Sequence, residues 1–192
     1  MNVITTKRQL KSVLKMEKEM YCNYMFPTYA RRFMGWMKNE PVYQIWQWQK
    51  TSRWADYYNY RIKHGGDIFE KLLYLWYIRQ RNTKARRLGL EIGTENIAQG
   101  FLLYHFGATV INGNSVIGEN CRLHGNNCIG NAGAYHPECP VIGDNVMIGV
   151  GAKIIGDVKI ANNIKIAAGA VVVTSFMEEG ITIGGVPAKK LK

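Results

Sequence analysis

Histidines are the residues best suited to chemistry in this 192-residue chain, and His105 stands first among them. Glu91 lies fourteen residues earlier. A carboxylate that accepts a hydrogen bond from one imidazole nitrogen fixes the tautomer. The other nitrogen is then free to take a proton from a hydroxyl. Taken singly, His105 also fits a satisfied core or edge histidine, and Glu91 a solvated edge carboxylate. His124 and His136 follow in the same half of the chain, whereas His64, beside Gly65 and Gly66, reads as a surface or capping residue where a helix stops.

The elements that must position these residues repeat every six positions. Ile111, Ile117, Leu123 and Ile129 form one run, and Ile142, Ile148, Ile154, Ile160, Ile166 and Val172 a second. A small residue or Val often sits four places later, as at Ser115, Cys121, Val146, Ala152, Val158 and Ala170. A period of six is neither helical nor that of an alternating strand. It suits a solenoid of short strands and corners, three hexapeptides to a triangular coil of 18, with the aliphatic residue pointing inward. Asn114, Gly125, Asn145, Gly151, Asn163 and Gly169 fall where corners need positive φ. Counting back by sixes puts His105 in the inward series, with Glu91 about one coil earlier and near enough to lie under it. Between Ile129 and Ile142 the count fails by one, so residues 131–141 contain a protruding loop. A β-sandwich with chance periodicity would not hold ten positions in two registers.

Spacing also marks a slot. Val150 and Ala168, 18 apart, both take the third place of a hexapeptide, and Asn131 holds the same place at an offset of 19. A row of small or backbone-exposing residues along one corner edge leaves a slot in which an extended ligand can bond to main-chain groups. Each residue singly also reads as an ordinary corner residue.

The segments GLEI (89–92), YHFGATVIN (104–112), the His124 coil, YHPECPVIGDNVMIGVGAKIIG (135–156) and GGVPAK (184–189) resemble serine acetyltransferases and their short relatives in surface-polysaccharide gene clusters. The resemblance covers about 89–192 and implies a left-handed parallel β-helix, against the usual right-handed crossover. It implies His105 as general base, Glu91 as its acidic partner, and His136 as a ligand of the hydroxyl substrate. It further implies acetyl-CoA as co-substrate, bound between subunits of a homotrimer, with Lys189, assisted by Lys190, near the coenzyme phosphate. There are departures. Tyr104 replaces the acidic residue before the base histidine, and Tyr135 replaces the Arg that clamps the serine carboxylate. Tyr cannot reproduce a bidentate guanidinium clamp. His124 is expected to line the acceptor pocket or to pack. The zinc geometry of γ-class carbonic anhydrases does not fit gaps of 19 and 12 between His105, His124 and His136, so no metal is expected.

Ahead of the repeat the chain changes character. Residues 1–88 hold 18 Lys and Arg against 6 Asp and Glu, and residues 89–192 hold 7 against 8. Residues 5–25 read as a helix with Leu10, Val13, Leu14 and Met20 on one side. Pro27 and Pro41 bracket a second helical piece, and an aromatic-rich helix follows to Lys63. Asp67 with Glu70 forms a capping-box variant opening a helix that closes near Arg86, Arg87 and Gly89. Aromatics among cations fit helix packing or an anionic membrane surface better than nucleic acid, for which no recognition motif is present. No apolar run reaches the ~18 residues of a membrane span. No signal peptide is visible, and the four cysteines show no CxxC, which points to a reduced, cytoplasmic protein, at most peripheral to the inner face of the membrane.

The fold expected is therefore mainly β: a basic, aromatic α-helical region (1–88) followed by a left-handed β-helix acetyltransferase domain (89–192). The function expected is acetyl-CoA-dependent O-acetylation, serine acetyltransferase-like. A sugar hydroxyl in glycan assembly is the alternative acceptor, and a non-catalytic trimeric scaffold is a second alternative. Pairing of trimers into a dimer of trimers is left open, as is membrane contact through residues 1–88.

Overall fold

Four helices precede fourteen short strands in a computed structural model that describes residues 4–25 and 28–191. Pro27 and Lys192 lie outside the described residues. The helices up to Leu88 form one compact unit, and the chain from Gly89 onward forms another.

In the helical unit, α1 (Lys7–Met25) and α4 (Ile68–Leu88) each pack on α3 (Pro41–Lys63), while α2 (Tyr29–Met37) is a short piece capped by Thr28, whose hydroxyl accepts from Arg31 N. The aromatic run packs helices together. Trp46, Trp48, Tyr57 and Tyr58 are buried, and Trp54 and Tyr58 stack on Tyr77 at centroid distances of 5.4 and 5.6 Å. Offset aromatic stacks of this kind stabilise beyond their buried area. The Asp67–Glu70 capping box forms reciprocally, with Glu70 N on Asp67 Oδ1 at 2.8 Å and Asp67 N on Glu70 Oε2 at 3.3 Å. One bond between α1 and α3 had no sequence signal: Arg53 donates to Glu17 at 2.7 Å, with both side chains almost wholly buried. Burial alone would lower the Arg53 pKa, yet the charge and hydrogen bonds of Glu17 outweigh it and hold the guanidinium above its ordinary value.

From Leu90 the chain winds as a three-faced parallel β-helix. One face stacks Leu90–Ile92, Thr109–Ile111, Cys128–Gly130, Lys153–Ile155 and Val171–Val172. A second stacks Val116–Ile117, Val141–Ile142 and Lys159–Ile160. The third stacks Leu102–Leu103, Arg122–Leu123, Met147–Ile148, Lys165–Ile166 and Thr182–Gly184, capped by Lys189–Lys190 running antiparallel. All ten aliphatic positions of the six-residue series are buried, as are the six small residues four places on. Burial pushes the Cys121 thiol up to about 12, as befits a small core residue. Of the expected positive-φ corners, Gly125, Asn145, Gly151, Asn163 and Gly169 have that conformation. Asn114 does not, and Asn120 and Asn126 take it instead. Asn114 sits in a tight turn where its own N–H donates to Asn112 Oδ1 at 3.0 Å.

Coil length is where counting by sixes goes astray. In the second half partners lie 18 apart, as Ile148 and Ile166 do. At the start they are further apart: Ile92 pairs with Ile111 and Leu103 with Leu123. Leu103, not His105, is therefore the inward residue of its coil, and His105 is exposed. The break after Ile129 is also larger than a slip of one. Ile129 pairs with Ile154, 25 residues on, so seven extra residues are inserted in that coil. Seven and one leave the same remainder on division by six. Among the described residues no helix is long and apolar enough to cross a membrane.

Candidate active site

His105 lies at the corner that follows the third face. Its carbonyl and Cβ come closest to the site where Gly125 has no side chain: a Cβ there would sit 2.9 Å from His105 O and 3.2 Å from His105 Cβ. Gly125 adopts φ 101°, so both conformation and space require glycine. Above Gly125 the corner continues through main-chain bonds, from Gly151 N to Gly125 O at 3.0 Å and from Gly169 N to Val150 O at 2.9 Å. Register then brings Gly185 over Ala168, because Ile166 pairs with Ile183. One corner edge therefore carries His105, Gly125, Val150, Ala168 and Gly185 in ascending order.

Asn131 is not on that edge, contrary to the expectation from spacing. It follows Cys128–Gly130 on a different face, where its Oδ1 accepts from Asn112 Nδ2 at 3.0 Å. The seven-residue insertion displaced the count, and Gly125 occupies the place assigned to Asn131. At the upper end of the edge Lys189 pairs with Gly184 and is exposed, while Lys190 is held by Glu178 at 2.6 Å. The basic position left open beside Gly185 is thus Lys189.

Glu91 is exposed and pairs with Val110 rather than lying under His105. The long first coils account for the offset, since fourteen residues fall short of one turn. Gly89 packs closely on Gly107 at the next corner: a Cβ at Gly89 would be 3.2 Å from the Gly107 carbonyl carbon. No hydrogen bond joins His105 to Glu91 among the described residues. Tyr104, just before His105, is buried and stacks on His124 at 4.6 Å with the planes 23° apart. His124 is half-buried beside His105. Burial first, and the charge of His105 second, lower its pKa from the usual histidine range. His136 and Tyr135 lie exposed in the inserted loop, where His136 N donates to Gly133 O at 3.0 Å.

A titration should register that proximity. The ring protons of His124 are expected to report a pKa below the ~6.5 of free histidine, and His105→Gln should recover only part of the difference, because burial is the larger cause. A His124 value unmoved by that substitution would contradict the juxtaposition. The sign for stability follows. Below ~6.5 the unfolded chain takes the proton before the folded one does, so this residue costs stability as pH falls through that window.

The family described as bacterial transferase hexapeptide (six repeats) matches residues 139–174. The chain is similar to a putative colanic acid biosynthesis acetyltransferase, WcaB, of Escherichia coli, at 34% identity over 97 residues. The match takes in 50% of this chain and 60% of the relative. A serine acetyltransferase of Synechococcus elongatus is 29% identical over 94 residues, 48% of this chain and 38% of the relative. The chain thus spans less than two thirds of the length of these relatives. Among solved structures, serine acetyltransferase of Brucella abortus in complex with coenzyme A superposes with a TM-score of 0.69 at 25% identity, over 96% of this chain and 68% of that one. The soybean serine acetyltransferase apoenzyme gives 0.70 at 21%, over 95% and 69%. The fold is accordingly a left-handed parallel β-helix preceded by helices.

Proposed function

We propose that the chain transfers acetyl from acetyl-CoA directly to a hydroxyl, with His105 as general base. The observation that carries this reading is the corner edge of Gly125, Val150, Ala168 and Gly185, which descends to His105. Pantetheine laid along small residues and main chain would bring a thioester to the imidazole, with the coenzyme phosphate near Lys189. His105 takes the proton of the acceptor hydroxyl as its oxygen bonds to the thioester carbonyl carbon. The C–S bond then breaks, and the imidazolium returns the proton to the departing thiolate. A thioester is already activated, so alignment and proton transfer supply most of what the reaction needs. His136 with His124 lines the acceptor side, and Glu91, which makes no hydrogen bond to the imidazole, is given no part in the transfer. A neighbouring copy in a homotrimer closes the slot, which suits the exposed Val150 and Val173.

The acceptor we favour is a sugar hydroxyl. Tyr135 stands where a carboxylate-clamping Arg would serve serine, and the WcaB relative is described as acting in colanic acid biosynthesis. Free L-serine is the second reading, favoured by the solved structures. Thiol release from acetyl-CoA, measured with L-serine alone and with neutral hexoses and oligosaccharides, separates them. Turnover on a saccharide and none on L-serine is expected. The reverse would overturn the sugar acceptor, and no acetyl-CoA binding at all would leave a scaffold rather than an enzyme.

A further inference from the structure

The helical unit holds a cavity of about 650 Å³ between α1, α2 and α3 that the reaction above does not use. Its walls carry two kinds of residue and lack a third. Lys11, Lys15 and Lys18 line it from α1 at helical spacing, Arg32 from α2 and Lys50 from α3. Tyr21, Tyr43 and Trp46 provide aromatic surface, and Leu14 and Val42 aliphatic surface. Among the described residues no Asp or Glu lines it. Among the described residues none of Lys11, Lys15, Lys18 and Lys50 has a carboxylate within ion-pair distance, and the nearby Glu17 is committed to Arg53.

The α1 and α3 walls are held to each other. Buried Tyr21 donates its hydroxyl to Gln49 Oε1 at 2.7 Å, and the Glu17–Arg53 pair locks the same two helices. The four ammonium groups are solvent-exposed and, with Arg32, make the rim of an apolar recess positive, which favours an anion there. The volume is that of a small-molecule site and too small for a polymer.

We propose that this cavity binds a phosphate ester of an apolar alcohol, the phosphate among the lysines and the apolar body against Trp46, Tyr43 and Leu14. A bilayer phospholipid and a soluble lipid phosphate share that chemistry. The site is independent of the acetyl-transfer reading, and its test uses no acetyl-CoA.

Dihexanoyl phosphatidic acid, kept monomeric, is titrated into the full chain by calorimetry. Saturable binding of one molecule is expected, at least about tenfold tighter than inorganic phosphate and weakened by salt. Lys15→Gln with Lys18→Gln should weaken it about 30-fold at an unchanged urea midpoint. Val42→Trp, which fills the recess, should weaken it while leaving the cations in place. Co-sedimentation with phosphatidylglycerol vesicles, lost in the same double variant, identifies a bilayer lipid. Binding of the monomer alone identifies a soluble ester. Inorganic phosphate binding equally well, or either variant binding like wild type while folded, would overturn the proposal.

Discussion

His105→Ala is expected to lower acetyl-CoA-dependent turnover by at least about 100-fold, the usual scale for losing a general base. Because His105 is exposed and its backbone, not its ring, seats Gly125, the variant should keep the wild-type unfolding midpoint and still bind acetyl-CoA. Those two controls distinguish a missing proton acceptor from a damaged coil. Glu91→Gln should leave turnover close to wild type, because Glu91 makes no hydrogen bond to the imidazole. Wild-type turnover in a folded His105→Ala protein would remove the residue from the mechanism.

The second large effect is one of stability. Glu17→Ala takes the carboxylate from Arg53, leaving a cation that is 5% exposed. Breaking a buried pair from one side costs roughly 3–5 kcal/mol, whereas removing both charges together is often close to neutral. Urea unfolding followed by helical circular dichroism should therefore show a deep loss for Glu17→Ala and a much shallower one for Glu17→Met with Arg53→Met. A single variant as stable as the double would mean that the pair contributes little.

These two residues also mark what could be read before the fold was known. The repeat was legible because an inward position tolerates few side chains, so Ile, Leu or Val recurs at every rung and the period survives in the letters alone. The histidines were legible as a type for the same reason that a base must be an imidazole near neutral pH. Their placement was less so. Counting by sixes treats an insertion of seven as a slip of one, which sent Asn131 to the wrong edge, and it assumes a fixed coil, which put His105 inside. Both failures come from a periodicity that carries remainders and not lengths. The Glu17–Arg53 bond was silent because each residue sits in an ordinary helical pattern, and nothing local says which charge 36 positions away will answer it. The exposed stripe of α4, with Ile68, Leu72, Leu75 and Trp76 open, shows the same limit, since apolar spacing names a face but not what meets it.

The excursion between Gly130 and Val141 leaves one rung and rejoins the next in register, with Ile129 and Ile154 still paired. Lengthening such a surface detour is thermodynamically cheap, since each doubling adds only about 0.6 kcal/mol of closure entropy. A lineage could therefore rewrite His136 and its neighbours freely while the prism beneath stays as it is. What is modified and how it is modified would then evolve on separate schedules, the first in a replaceable hinge of sequence and the second in the frame.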